Sequence, residues 1–69
     1  MIIKYIHNGK LTCTYYENEC RFLKECYNPE FKDIILNAKD VIVLDNTGYS
    51  YRYKTMLEVY NQYKNFVIK

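Results

Sequence analysis

Apolar and polar positions alternate in two parts of this chain and recur with helical period in three others. "IIKYIH", at residues 2–7, is β-branched and aromatic, and Asn8-Gly9 follows it. Asn-Gly is the preferred two-residue hairpin turn, because both central positions of a type I′ turn need positive φ. The chain then returns through Leu11, Cys13 and Tyr15 on one face, with Thr12 and Thr14 on the other. A second hairpin is expected from "VIVLD", the turn "NTG" and "YSYRYK". "VIVLD" is the most apolar run and should be a central strand, and "YSYRYK" alternates with period two.

Helical spacing marks the remaining segments. Thr14 and Glu17 have the capping-box spacing, and Tyr16, Cys20, Leu23 and Tyr27 recur behind them, flanked by Phe22 and Cys26. Asn28-Pro29 breaks this helix and starts a second, since Asn caps well and Pro needs no amide hydrogen in the first turn. Phe31, Ile34, Ile35 and Ala38 carry that short helix, with Lys39-Asp40 at its end. Thr55 and Glu58 repeat the capping box. Met56, Val59, Tyr60, Tyr63 and Val67 follow at helical period, aided by Leu57 and Phe66, and "FVIK" is expected to fray or form a short strand.

The order is therefore β-β-α-α-β-β-α. Residues 1–69 are expected to form one α+β domain: a small antiparallel sheet of two hairpins, about four strands, with helices packed on one face. Hairpin, threonine cap and helix occur twice, over residues 2–27 and 41–67, as shared architecture without residue identity.

Composition narrows the function classes. A chain of 69 residues buries a modest core and has little room for a deep catalytic cleft. Hydrophobic residues at 49% and charged residues at 26% indicate a globular rather than a disordered chain. No apolar run reaches the length of a membrane span and no signal peptide opens the chain, so a cytoplasmic protein is expected. A formal net charge of +2 lacks the basic footprint of a dedicated duplex binder and the acid surplus of a nucleic-acid mimic. Lysine outnumbers arginine eight to two, and Tyr, Asn, Ile and Phe are favoured over Gly, Ala and Pro. The favoured residues have AT-rich codons, which suits a low-GC bacterium or one of its phages.

Candidate chemistry is sparse. Cys13, Cys20 and Cys26 are an odd number of thiols, which argues against a disulfide framework. With His7 they give His-x5-Cys-x6-Cys-x5-Cys, which lacks the close Cys-x2-Cys knuckle of structural zinc. No metal or other cofactor is expected. His7 is the sole histidine, no acidic pair announces general acid and base, and phosphate-cradling glycine loops and nucleophile elbows are absent. A non-enzymatic role is expected.

The stretch "GYSYRYKT" carries the most information. Tyr49, Tyr51 and Tyr53 alternate with Ser50, Arg52 and Lys54, so a strand would put phenol rings on one face and cations on the other. One reading buries the rings under helices and leaves the cations in water, where they guard the sheet against edge pairing. The other leaves part of the row outside as a contact surface with Arg52 and Lys54, extended by Tyr15 and Tyr16. Tyrosine gives large contact area at low entropic cost, and Arg52 offers a rigid fork of donors.

Nine tyrosines exceed what so small an interior needs. The expectation is a protein-binding inhibitor, a phage or mobile-element anti-defence protein of anti-CRISPR-like type that blocks a host protein sterically. Its partner would be a nuclease or another defence component. The alternative is a small nucleic-acid-binding or transcription-regulating module that uses the tyrosine and Arg/Lys positions of the sheet. Neither an RNP signature nor a KH-type GXXG supports that alternative. A homodimer is compatible with both, since a second copy would cover apolar surface.

Overall fold

The hairpin turn at Asn8-Gly9 has φ of 53° and 75°, the pair of positive values that a type I′ turn requires. In this computed structural model, which describes residues 1–65, β1 (Ile2–His7) therefore returns antiparallel as β2 (Lys10–Tyr15), with Ile2 opposite Tyr15 and His7 opposite Lys10. The other edge of β1 pairs with β3 (Lys39–Leu44), and β3 pairs with β4 (Ser50–Thr55), both antiparallel. The four strands form one open sheet in the order β2-β1-β3-β4, and the two hairpins meet along β1 and β3. The chain is an α+β fold of order β-β-α-α-β-β-α. The last four residues, "FVIK", and with them Phe66 and Val67 of the helical pattern, lie outside the described residues.

The first helix begins later than the threonine spacing suggests. Thr14 stays in β2 opposite Ile3, and Met1 and Tyr16 exchange backbone hydrogen bonds that prolong the ladder. Those bonds hold the chain extended past Thr14, so the Thr14/Glu17 box is not used. Asn18 caps α1 (Glu19–Cys26) instead, its Oδ1 accepting from the Arg21 amide at 3.1 Å. The buried side keeps Leu23 of the expected stripe and is centred on its flanking residues Phe22 and Cys26. Phe22 and Leu23 are buried, while Cys20 and Tyr27 of the expected stripe are exposed.

Asn28 and Pro29 act as their types dictate. Asn28 Oδ1 accepts from the Glu30 amide, and Pro29 opens a 3₁₀ turn (Pro29–Phe31) that leads into α2 (Lys32–Asn37). Lys39 and Asp40 do not close this helix. They belong to β3, because Lys39 pairs with both Ile6 and Thr55. Between Lys4 and Ile6 the β1–β3 register slips, so that Asp40 and Val41 oppose Tyr5 alone. Asp40 takes a φ of 52° within this bulge, a left-handed value that Asp tolerates better than most residues. The second threonine cap forms as its spacing predicts. Thr55 Oγ1 accepts from the Glu58 amide at 3.3 Å and starts α3 (Met56–Tyr63) directly from the end of β4.

Helices lie on one side of the sheet, and the molecule is 17 Å across its shortest dimension, enough for two layers and not three. The core is Ile3 and Tyr5 of β1, Val41 and Val43 of β3, Met1, Phe22, Leu23, Phe31, Ala38, and Met56, Val59 and Tyr63 of α3. Phe22 is fully buried and meets Tyr16, Phe31 and Tyr63 edge-to-face, at centroid distances of 5.5, 6.4 and 6.3 Å. One ring thus joins β2's exit, the 3₁₀ turn and α3. Phe22→Ala is expected to cost about 3–5 kcal/mol. Leu57→Ala, on the exposed side of α3, should cost under about 1 kcal/mol. Urea denaturation followed by circular dichroism compares the two; a Phe22→Ala loss as small as that of Leu57→Ala would contradict this packing.

Candidate interaction surfaces

Strand register decides which side chains share the sheet face that no described residue covers, the uncovered face. Partners across an antiparallel pair point the same way, and successive residues alternate. One row across the sheet is Tyr15, Ile2, Leu44 and Ser50; the next is Cys13, Lys4, Ile42 and Arg52. Leu11 and Ile6 extend it below, and Lys54 lies two residues beyond Arg52 on the same side of β4. The result is an apolar field with cations set into it. Leu11 is 73% exposed and Tyr15 66%, while Ile6, Ile42 and Leu44 are half-buried by their neighbours.

Toward β4 this surface deepens. Asp40, Ile42, Arg52 and Lys54 line a groove of about 320 Å³ with Val41 and Tyr53. Asp40 is the one carboxylate in any of the four strands. Among the described residues no lysine or arginine, Lys4, Arg52 and Lys54 included, has a carboxylate within pairing distance; the one ion pair joins His7 to Asp33.

The tyrosine row is divided by the same parity. Tyr51 opposes Val43 and Tyr53 opposes Val41, so both rings face the helix layer while Arg52 and Lys54 face away. Tyr53 is half-buried against the core, but Tyr51 keeps 43% of its surface and Tyr49, in the loop before β4, keeps 68%. Burial of the rings thus holds for Tyr53 and in part for Tyr51, and not for Tyr49. Tyr16 is half-buried and packs on Phe22 at the core's margin, and it meets Tyr15 in a separate depression with Glu17, Arg21, Lys24 and Glu25 that includes neither Arg52 nor Lys54. The proposed cluster of Tyr49, Tyr51, Tyr53, Arg52, Lys54, Tyr15 and Tyr16 is therefore not one surface. Tyr15, Arg52 and Lys54 share the uncovered face, and Ile2, Leu11, Lys4, Ile42 and Leu44 join them unforeseen.

The sheltered rings line a second depression, of about 390 Å³, with Glu19, Asp45, Gln62 and Tyr63. Burial, then Tyr53's charge and hydrogen bond, push the Tyr63 phenol above its ordinary range. Tyr51 is raised by desolvation and by its hydrogen-bonded neighbour Asp45. These phenols stay neutral at physiological pH and serve as hydrogen-bonding groups.

Asp45 organises the β3–β4 turn. Its Oδ1 accepts from the Thr47 amide at 2.9 Å, the Thr47 hydroxyl at 2.6 Å and the Tyr49 amide at 3.1 Å. Asn46 ties that turn to the rest: its Oδ1 accepts from the Met1 amino nitrogen at 2.8 Å and its Nδ2 donates to the Glu17 carbonyl at 3.3 Å.

His7 Nε2 lies 2.7 Å from Asp33 Oδ2, which couples the end of β1 to α2. The hydrogen bonds from His7 and from Asn37 hold the Asp33 carboxyl below its usual range. The thiols are dispersed. Cys13 and Cys20 are exposed, and Cys26 is half-buried, with burial and then Glu25 pushing its pKa up to about 12. Among the described residues no three His, Cys, Asp or Glu side chains gather as a metal site, and no helix is long and apolar enough to cross a membrane.

Two measurements check these placements. Thr47's hydroxyl, first, and the amides of Thr47 and Tyr49 lower the Asp45 pKa, so its carboxylate contributes stability above the unfolded value near about 4. That contribution is lost as pH falls through the folded value. Wild type should exceed Asp45→Asn in stability at pH 7, with the gap closing below about pH 4; a gap constant down to pH 2 would contradict this. Iodoacetamide at pH 8 should alkylate Cys13 and Cys20 first and Cys26 last, as read by peptide mass spectrometry. Equal rates at all three thiols would refute the burial of Cys26.

No family model, curated protein or solved structure matches this chain.

Proposed function

We propose that this chain is a non-enzymatic protein-binding module that inhibits by occupying the surface of a larger protein, and that it docks through the uncovered face of its sheet. The observation that carries this reading is the apolar field of Leu11, Tyr15, Ile2, Ile42 and Leu44 on a sheet whose other face already holds the core. Protein interfaces combine an apolar centre with a polar rim, and Tyr and Arg dominate their energetics. Tyr15 and Arg52 stand at opposite sides of this face. The bias toward residues with AT-rich codons supports a phage or mobile-element origin, and with it an anti-defence inhibitor of anti-CRISPR-like type whose target is a host nuclease or another defence component.

The nucleic-acid reading loses its main support in the register. Stacking platforms need rings and cations on one surface. Here Tyr51 and Tyr53 face the helices while Arg52 and Lys54 face the other way, which leaves Tyr15 as the single ring on their face, at the opposite edge of the sheet.

A photo-crosslinking amino acid placed at position 11 tests the docking face against position 27, where Tyr27 is 71% exposed on the helix side. In the host cell, position 11 should give a discrete protein adduct and position 27 none. Tyr15→Ala should reduce that adduct at least about tenfold while changing stability by less than about 1 kcal/mol. Adducts from position 27 alone, or from neither position, would reject the docking face.

A further inference from the structure

Three cations on one sheet face, each without a carboxylate partner, specify what can sit there. We infer that the occupant of this face is an acidic protein surface, with carboxylates arranged around one or two large apolar side chains. This inference rests on the docking reading above and adds the partner's chemistry to it.

Lys4, Ile42 and Arg52 stand in one row on adjacent strands, so the two cations flank an aliphatic side chain. Strand spacing of about 4.8 Å sets the backbones of Lys4 and Arg52 about 10 Å apart. Lys54 adds a third positive charge where Asp40, Ile42, Arg52 and Lys54 form the groove. Asp40 alone cannot neutralise three cations. The face thus offers a partner charge complementarity together with apolar burial. Arg52 would take a carboxylate by its two-pronged fork, and the lysines would hold theirs as point charges.

Two other occupants fit less well. A second copy laid on this face would bring cations against cations around one carboxylate each, which opposes a face-to-face dimer. A phosphate backbone would satisfy the cations, but Tyr15 is the one ring on this face, at the edge away from Arg52 and Lys54, and Ile2, Leu11, Ile42 and Leu44 offer bases nothing flat on which to stack. An acidic protein surface satisfies the charged and the aliphatic positions together.

The test uses the full chain carrying the crosslinking residue at position 11, in host cells, with and without the triple substitution Lys4→Glu, Arg52→Glu, Lys54→Glu. All three side chains are exposed, and a circular dichroism melt checks that the variant folds. The single variant Arg52→Gln with a salt titration of adduct yield in fresh lysate is read alongside and stands in if the triple variant does not fold. The adduct should fall at least about tenfold in the triple variant, severalfold in Arg52→Gln, and steadily as salt rises. Mass spectrometry should place the crosslink within a carboxylate-rich segment of another protein. Yield unchanged by charge reversal or, for Arg52→Gln, by substitution and salt alike would overturn the acidic partner while leaving docking intact. A crosslink to this chain's own peptides would identify a second copy, and an adduct dispersed by nuclease would identify nucleic acid; either overturns the inference. Absence of any wild-type adduct would instead remove the docking face itself.

Discussion

Among the described residues, the supply of helix covers one sheet face and leaves the other open. α1 and α3 have eight residues each and α2 has six. That is enough to roof four six-residue strands once, with Phe22 as the ring that α1 drives into the centre of the layer. Strand parity then becomes the deciding variable. Ile3, Tyr5, Val41 and Val43 fall under the roof and vanish from solvent, while Ile2, Lys4, Ile42 and Arg52 fall outside it. A slip of one residue in any pairing would exchange those sets, so the core pins the register and the register fixes the outer surface.

A net charge of +2 conceals how unevenly charge is distributed. Of eight acidic residues only Asp40 lies in a strand; the others sit in helices, caps and turns. Several have evident local duties. Asp45 gathers the β3–β4 turn, and Asp33 takes His7 and Asn37. Lys4, Arg52 and Lys54 have no such occupation. No other described lysine or arginine has a carboxylate partner either; Lys4, Arg52 and Lys54 differ in lying beside apolar side chains on the sheet face that no described helix covers.

Local rules were legible in the sequence wherever one residue type dominates the conformation. Asn8-Gly9 turned as it must, Asn28 and Pro29 broke and restarted the helix, and Thr55 capped α3. The same capping spacing failed at Thr14 because ladder bonds reaching Met1 and Tyr16 outcompeted it, and no local window contains Met1's side of that ladder. The helix face was legible only in part, since packing on Phe22 and Leu23 turns Cys20 and Tyr27 outward. The bulge at Asp40 had no signal at all, being a property of β1 against β3. The proposed docking face was legible for the same reason only in part. Alternation separated Tyr51 and Tyr53 from Arg52 and Lys54, but which of the two sets shares a face with Tyr15 depends on pairing through β1 and β3.

That pairing also gives the outer surface a direction. β2 contributes Leu11, Cys13 and Tyr15, without charge, and β4 contributes Ser50, Arg52 and Lys54, without an aliphatic side chain. Both are edge strands, yet they are defended differently. Charge along β4 discourages another strand from pairing there, whereas the outward residues of β2 offer no such barrier. A partner settling on this face would meet apolar contact at one edge and positive charge at the other, with Lys4 and Ile42 between them. For the acidic partner proposed above, such a gradient would favour one orientation over its reverse, because turning that partner around would set its carboxylates over Leu11 and its apolar centre over Arg52. Specificity can thus arise on an almost flat sheet without a deep pocket, from the order in which four short strands are laid side by side.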